Sequence, residues 1–315
     1  MLNWESVIIR KGTLGGKYMS VKINHLTTET RNERTMNLDT LSAREIVEIM
    51  NEEDKNVPLA IHEALDDIAD AVDKIVEKLR KGGRLLYIGA GTSGRLGVID
   101  AAECMPTFGT TYEVVGILAG GEKAMIHAVE GAEDSIELAV QDLSEHNINE
   151  KDVVVAIAAS GRTPYAIGAL DYAREVGATA IAVACNKDSE MGKHADIKIE
   201  VSAGPEVLTG STRLKSGTCQ KLILNMLSTA SMVRYGKVYG NLMVDVKATN
   251  LKLIERSKRI IMMATDCEYE TASEMYEASG HSPKVAIIMI LTGCSKEKAE
   301  KKLQENEGFV RQAIK

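Results

Sequence analysis

Three short stretches of this sequence combine glycine with hydroxyl or charged side chains in the pattern of a binding site. Residues 89–94 (GAGTSG) follow an apolar segment and match G-x-G-x-x-G, which is typical of a dinucleotide-binding loop. Such a site also needs an acidic residue at the end of the next strand, for the ribose, but that segment ends in glycine. Thr92 and Ser93 add hydroxyl donors to the backbone amides, and this set favours a sugar phosphate. A tight turn and a dinucleotide site are the alternatives.

A similar loop follows a later apolar segment, at residues 159–164 (ASGRTP). Ser160 and Thr163 could both donate to a phosphate, Arg162 is a further candidate ligand, and Pro164 suits the first turn of a helix whose amides face the ligand. A plain hydroxyl helix cap is the alternative. Two such loops in one sheet favour a site, because ligands of open α/β sheets bind at the carboxyl ends of strands.

The third stretch, residues 204–218 (GPEVLTGSTRLKSGT), is dense in hydroxyls and glycines and holds two cations. It leads into a long apolar helix and carries more polar groups than a helix cap requires. We take Glu206, Ser211 and Lys215 as candidate ligands. A loop followed by a capped helix is the alternative.

Two glutamates are candidates for acid–base chemistry. Glu103 lies at the end of the helix predicted after the first glycine loop, and Glu133 at the end of the next predicted helix, from Glu122. From position alone, each is typical of a solvated carboxylate at a helix end.

The elements that must position these residues alternate between apolar strands and helices. This alternation predicts an α/β fold with a doubly wound, mainly parallel sheet, covered by helices on both faces. The predicted strands are residues 84–89, 114–120, 152–160, 178–185 and 195–201.

The two ends of the chain differ from this pattern. Residues 42–45 (SARE) predict a capping box at the start of a short N-terminal helix. A longer helix is expected from Pro58 to the glycines at 82–83. After Asn250, short helical stretches predict a small three-helix module. We expect an extension at residues 1–18, a main domain at 19–250 and a helical C-terminal domain at 251–315.

The composition of the chain argues against several classes of function. The net charge of −7 argues against a nucleic-acid partner. No apolar run reaches the length of a membrane helix, so we expect no membrane partner. The five cysteines show no C-x-x-C spacing and the six histidines are scattered, so neither a metal site nor a redox motif is expected. The scattered thiols favour a reducing compartment, and we expect a cytoplasmic protein.

Taken together, these stretches resemble the N-acetylmuramic acid 6-phosphate etherases. The resemblance runs from about Leu26 to the C-terminus, and its other parts include LTTETRNERTMNLDTLS, YIGAGTSGRLGVIDAAECMPTFG, AVEGAED and GKVYGNLMVDVKATN. Residues 204–218 are its most specific part and also resemble the glucokinase regulatory protein, a non-catalytic relative. Met105 and Ala102 depart from the residues common there, proline and serine.

The resemblance implies a sugar-isomerase (phosphosugar-binding) domain, a homodimer, no cofactor and no metal. It also implies that Glu103 and Glu133 are the active-site glutamates, with Glu103 the acid and Glu133 the base. The expected reaction is cleavage of the D-lactyl ether of N-acetylmuramic acid 6-phosphate. Aldose–ketose isomerisation, phosphosugar binding without turnover, and a dinucleotide oxidoreductase are the alternatives.

Overall fold

The computed structural model describes residues 26–315, so the predicted extension at residues 1–18 lies outside the described part. The core of the fold is a five-stranded sheet whose strands are β1 (Leu85–Gly89), β2 (Val114–Leu118), β3 (Val153–Ala158), β4 (Thr179–Ala184) and β5 (Ile197–Glu200). Their order across the sheet is β2-β1-β3-β4-β5, and every neighbouring pair is parallel. The predicted α/β fold with a parallel sheet is confirmed.

The sheet is covered by helices on both faces. The helices up to the end of the sheet domain are α1 (Ala43–Asp54), α2 (Asn56–His62), α3 (Leu65–Arg80), α4 (Gly91–Phe108), α5 (Lys123–Ile126), α6 (Ile136–Glu145), α7 (Pro164–Glu175), α8 (Glu190–Lys193) and α9 (Lys215–Arg234). The C-terminal helices are α10 (Leu251–Thr265), α11 (Tyr269–Ala278), α12 (Pro283–Thr292), α13 (Lys296–Glu305) and α14 (Val310–Ala313).

Alternate residues of each strand enter two separate cores. Tyr87 and Val155 pack with α2, α3, α4 and α9 on one face, while Ile88 and Ala156 pack with α6 and α7 on the other. This is the period of two that a strand imposes on its side chains. Both faces are buried, which explains why the strands read as continuous apolar runs.

The N-terminal helices confirm one prediction and correct another. Ser42 and Glu45 form the predicted capping box at the start of α1. The single helix expected from Pro58 is two helices, because Ala64 leaves helical geometry (φ −112°, ψ 12°) between α2 and α3. Pro58 lies in the first turn of α2, where its missing amide is tolerated. No glycine or proline marks the break, so the sequence offered no signal for it.

The helix predicted from Glu122 to Glu133 is wrong. Only α5 is helical there; His127 is extended, Gly131 has φ 77°, and Glu133 lies in a 3-10 turn, Ala132–Asp134. The positive φ at Gly131 is a conformation that glycine adopts at little cost, and it redirects the chain before the turn. Glu103 does not end its helix either, since α4 continues to Phe108.

The C-terminal module has its own apolar core, formed by α10 to α14 together with Val244 and Val246. The predicted count of three helices is wrong: three internal breaks separate four helices of ten or more residues, and α14 follows. Ser282 and Ser295 cap two of these helices and so start each anew. The boundary at residue 250 stays a prediction. Within residues 26–315, no helix is both long and apolar enough to cross a membrane.

Candidate active site at the carboxyl edge of the sheet

The two hydroxyl-rich loops lie side by side where the sheet changes winding direction. β1 and β3 are neighbours, with Gly89 opposite Ile157 in the register. From β1 the chain crosses to β2 on one side, whereas from β3 it proceeds to β4 on the other. A crevice therefore opens between the loops after β1 and β3, and this switch point is where open parallel sheets bind ligands.

The glycines of the first loop are required by close packing. A Cβ at Gly94 would lie 2.2 Å from the carbonyl oxygen of Gly89, and one at Gly89 would lie 2.8 Å from that of Ile157. Glycine at both positions lets α4 begin directly above the strand. Ala90, the N-cap residue, supplies no side-chain hydrogen bond to the first turn. That turn therefore presents uncapped amides beside the half-buried hydroxyl residue Thr92.

Ser93 is in the same turn but is almost fully buried. Its Oγ donates to Oε1 of Gln220 on α9, at 3.0 Å. The structure thus places Thr92 at the crevice and turns the Ser93 hydroxyl toward α9.

The second loop also leaves its helix uncapped. Thr163 is the N-cap residue of α7, yet its side chain makes no capping hydrogen bond. The Ser160 hydroxyl instead accepts from the amide of Arg162 at 3.4 Å. Ser160, Arg162 and Thr163 are all half-buried at the crevice. The plain-cap interpretation therefore fails for Thr163, since its side chain makes no capping hydrogen bond.

The third stretch differs, because the start of α9 is already occupied by a carboxylate. Glu206 is fully buried. Its oxygens accept from the amides of Lys215 and Ser216, each at 2.9 Å, and from the Ser216 hydroxyl at 2.9 Å. This is the position an anionic ligand would take at a helix N-terminus. Among the described residues, the amides in the first turn of α4 have no hydrogen-bond acceptor. At α7, Pro164 has no amide hydrogen and the Ala166 amide donates to the Thr163 carbonyl oxygen at 3.0 Å.

Lys215 is paired inside the protein. Its Nζ lies 2.7 Å from Oε2 of Glu53, and both side chains are buried. Glu53 also accepts from Asn32 Nδ2 at 2.9 Å and from Arg34 at 2.7 Å. This cluster ties the N-terminal segment and α1 to the start of α9.

The first turn of α9 nevertheless lies against the first loop. A Cβ at Gly217 would be 3.7 Å from Thr92 Cγ2 and 3.6 Å from the carbonyl oxygen of Thr212. Ser211, next to Thr212, is half-buried. Of the three candidate ligands in this stretch, Ser211 is the one with an accessible side chain, while Glu206 and Lys215 are enclosed by protein partners.

Both candidate catalytic glutamates are exposed in the single chain. Glu103 lies on α4, in the helix that starts at the first loop, and Glu133 lies in the 3-10 turn before α6. Neither carboxylate has a hydrogen bond or ion pair with another side chain in the described part of the chain. Arg95 of α4 donates from Nε to the carbonyl oxygens of Ala124 and Met125, at 3.0 and 3.1 Å, and so anchors the segment that leads to Glu133.

Sequence reasoning missed three buried residues around the loops. Gln220 contacts Ser93, and Glu53 pairs with Lys215. Asn186 follows β4 and donates from Nδ2 to the Ala159 carbonyl at 3.1 Å. Asn186 could have been predicted as a site residue, because it is a polar residue at the carboxyl end of a predicted strand. Gln220 and Glu53 had none, because each lies within a helix.

Comparison with known proteins places these loops in a family. A model described as the glucokinase regulatory protein N-terminal SIS domain matches residues 67–174, and the SIS domain model matches residues 134–230. Among solved structures, a phosphoheptose isomerase from Francisella tularensis has the same fold, with a TM-score of 0.50, 19% identity, and coverage of 61% of this chain and 100% of that one.

Curated bacterial proteins are far more similar. N-acetylmuramic acid 6-phosphate etherase 2 of Lactiplantibacillus plantarum is 61% identical over 93% of this chain and 100% of its own length. The N-acetylmuramic acid 6-phosphate etherase of a Geobacillus strain is 56% identical over 93% of this chain and 99% of its own. At this identity over nearly full length, the chain belongs to the N-acetylmuramic acid 6-phosphate etherase family.

Proposed function

We propose that this chain cleaves the D-lactyl ether of N-acetylmuramic acid 6-phosphate, giving N-acetylglucosamine 6-phosphate and D-lactate. Relatives that carry the name of this etherase are 56–61% identical to it. The structural observation that supports a phosphorylated sugar is the pair of uncapped helix starts, α4 and α7, on either side of the β1/β3 crevice. Their amides and neighbouring hydroxyls form a site for a phosphate.

In this proposal the phosphate contacts come from the two loops. Thr92, Ser160 and Thr163 donate hydroxyl hydrogen bonds. Ser93 can add one only when its hydrogen is released from Gln220. Arg162, in the second loop, contributes a positive charge near the phosphate.

Ser211 faces the sugar from the loop before α9. Glu206 and Lys215 act through packing instead of direct contact, because their charged groups are satisfied by α9 and by Glu53. We therefore assign them to holding the residue 204–218 loop against the first loop.

The chemistry begins from the open-chain sugar, because an alkyl ether is a poor leaving group. The C1 aldehyde acidifies the C2 proton, and a carboxylate removes it. The electron pair of that C–H bond forms a C2–C3 double bond as the C3–O bond to lactate breaks, and a carboxylic acid supplies a proton to the departing oxygen. Water then adds at C3 and a proton returns to C2. Each positioned proton transfer contributes on the order of 10²–10⁴-fold to the rate.

Glu103 and Glu133 are the carboxyls we assign to these transfers, with Glu103 as the acid and Glu133 as the base. Their exposure suits the assignment, since each is free to reach a bound sugar.

We further propose a homodimer whose interface lies near the active site. Large apolar side chains beside the glutamates are exposed in the single chain, including Ile99 and Met105 on α4 (51% each) and Ile126 (80%). Burying them against a second copy would cover apolar surface around the crevice. Sedimentation velocity tests this directly, and a fully active monomer would contradict it.

The activity itself is tested by incubating the purified chain with N-acetylmuramic acid 6-phosphate and measuring D-lactate. We expect release from the 6-phosphate and little from unphosphorylated N-acetylmuramic acid. Equal turnover of the two sugars would contradict the phosphate site. Aldose–ketose conversion without lactate would make the chain an isomerase, and binding without any turnover would make it a phosphosugar-binding regulator.

A further inference from the structure

Gln220 is a buried carboxamide directly behind the first loop. It lies on α9 with 1% of its surface exposed, and its Oε1 accepts the hydroxyl hydrogen of Ser93. Its Nε2 is also buried, and it has no hydrogen-bond partner among residues 26–315. A buried amide donor without a partner is unfavourable, so this arrangement leaves one end of Gln220 unsatisfied.

The same arrangement limits what Ser93 can do for a phosphate. A serine hydroxyl has one hydrogen and two acceptor lone pairs. While that hydrogen is bonded to Gln220 Oε1, Ser93 has none to donate to a ligand at the crevice. A carboxamide is flat, with an acceptor at one end and a donor at the other. Turning it over by half a rotation exchanges the two ends with almost no change in volume.

Combining these two facts, and resting on the phosphosugar site of the proposed function, we propose that Gln220 is a positioning residue that turns over when the substrate binds. In the bound state Nε2 donates to Ser93 Oγ, and the Ser93 hydrogen is released to the phosphate. The turn pairs Nε2 and leaves Oε1 as the end without a partner, so the number of unpaired amide ends is unchanged and the gain is one more donor for the loop. Substrate binding is thereby coupled to a hydrogen bond inside the protein.

A second buried amide near the site lacks this freedom. Asn186 donates from Nδ2 to the carbonyl oxygens of Ala159 and Ser160 and to Thr28 Oγ1. Carbonyl oxygens only accept, so they hold the amide of Asn186 in one orientation. The partner of Gln220 is a hydroxyl, which can accept as well as donate, and both orientations are therefore possible.

The test measures binding of N-acetylglucosamine 6-phosphate, a ligand that needs no turnover, by titration calorimetry. Gln220→Met removes both amide ends at similar volume, so the free protein loses the bond that holds the Ser93 hydrogen and the bound protein loses the Nε2 donor. Because one hydrogen bond is lost in each state, we expect Kd to change by less than about 3-fold. Gln220→Glu is nearly isosteric, but its carboxylate can only accept and so keeps the Ser93 hydrogen. We expect Kd to rise more than about 10-fold there, since its charge also opposes the phosphate.

A double-mutant cycle separates coupling through Ser93 from a general effect on folding. In a Ser93→Ala background, adding Gln220→Glu should raise Kd clearly less than it does beside Ser93, because no hydroxyl hydrogen remains for the carboxylate to hold and only the effect of its charge is left. Ser231→Ala is the control: it removes a fully buried, unpaired hydroxyl farther along α9 and should leave Kd unchanged. Circular dichroism and thermal melting report the folding of every variant.

Equal increases from Gln220→Glu in both backgrounds would overturn the proposal, and so would an unchanged Kd in Gln220→Glu beside Ser93. Failure of the wild-type chain to bind N-acetylglucosamine 6-phosphate would overturn it together with the phosphosugar site. A wild-type chain that binds this ligand but releases no lactate from N-acetylmuramic acid 6-phosphate would contradict the proposed activity alone, and the cycle would still decide the role of Gln220.

Discussion

Lys215 Nζ lies 2.7 Å from Oε2 of Glu53, and the two side chains are 2% and 5% exposed. The pair joins the end of α1 to the first residue of α9, two elements that the chain separates by most of the sheet. Asn32 and Arg34 add further donors to the same carboxylate. The N-terminal segment is thereby attached to the helix that lies behind the first loop.

Breaking this pair should be costly. Lys215→Met leaves the Glu53 carboxylate buried without its main partner, and we expect the free energy of unfolding to fall by about 3–5 kcal/mol. Urea denaturation measures the change. Lys55→Met is the control, because Lys55 pairs with Glu52 at the surface and its loss should cost no more than about 1 kcal/mol. Similar small losses in both variants would show that the buried pair is not important for stability.

The pair also predicts a dependence on pH. Burial alone raises the pKa of Glu53, but the hydrogen bond and the charge of Lys215 outweigh it and lower the pKa below the ordinary 4.5. A lowered carboxyl pKa contributes stability above pH 4.5, and this stability is lost as the pH falls through the lowered value. Denaturation midpoints taken at decreasing pH should therefore fall less steeply in Lys215→Met than in the wild type. Parallel curves would contradict this account.

Glu206→Gln should affect both stability and binding. A glutamine at this position would place its NH2 group opposite backbone amides that now donate to Glu206. We therefore expect weaker capping of α9 to lower the free energy of unfolding by about 1–3 kcal/mol. KM should rise as well, because the first turn of α9, whose amides donate to Glu206, lies against Thr92. Glu113→Gln is the matched control. Glu113 accepts from the amides of Thr111 and Tyr112 just before β2, at the opposite edge of the sheet, and its loss should lower stability without changing KM.

The second loop should contribute directly to binding. Ser160→Ala and Thr163→Val each remove a hydroxyl donor to a charged phosphate, worth roughly 1.5–3 kcal/mol. We expect KM for N-acetylmuramic acid 6-phosphate to rise by about 10-fold or more with a smaller effect on kcat. Thr265→Val, in the C-terminal module, removes a hydroxyl far from the crevice and serves as the control. An unchanged KM in both Ser160→Ala and Thr163→Val would show that this loop is a structural turn that does not bind the substrate.

The two glutamates should fail at different steps. Glu103→Gln keeps the base, so it should exchange the C2 hydrogen for deuterium in heavy water while releasing almost no lactate. Glu133→Gln loses the base and should do neither. The loss should appear in kcat more than in KM, since a proton-transfer group acts in the transition state. The measurements are a D-lactate assay and mass spectrometry of recovered substrate.

Glu130→Gln is the control for this pair, because Glu130 is an exposed glutamate of the same segment as Glu133. It should retain activity. The reverse exchange pattern would interchange acid and base. Nearly normal lactate release in both Glu103→Gln and Glu133→Gln would mean that these are solvated surface carboxylates, and the catalytic assignment would be falsified.

Local patterns in the sequence were sufficient for the five strands, the capping box at Ser42 and the two hydroxyl-rich loops. Each of these features depends on residues within a few positions of one another. A run of apolar residues forms a buried strand, and the Ser42 side chain accepts from the amide of Glu45, three residues later. The family could also be recognised from contiguous stretches of the sequence. These predictions succeeded because neighbours along the chain supply most of the interactions concerned.

The tertiary structure alone decided how the site is supported. Lys215 and Glu53 are 162 positions apart, and Ser93 and Gln220 are 127 apart. No local pattern shows that Lys215 is enclosed while Ser211 stays accessible, or that the hydrogen of Ser93 points to α9. The turn at Glu133 likewise replaced a predicted helix. The two pairs follow from which buried polar groups meet when the sheet and its helices pack, because most such groups find a partner in three dimensions.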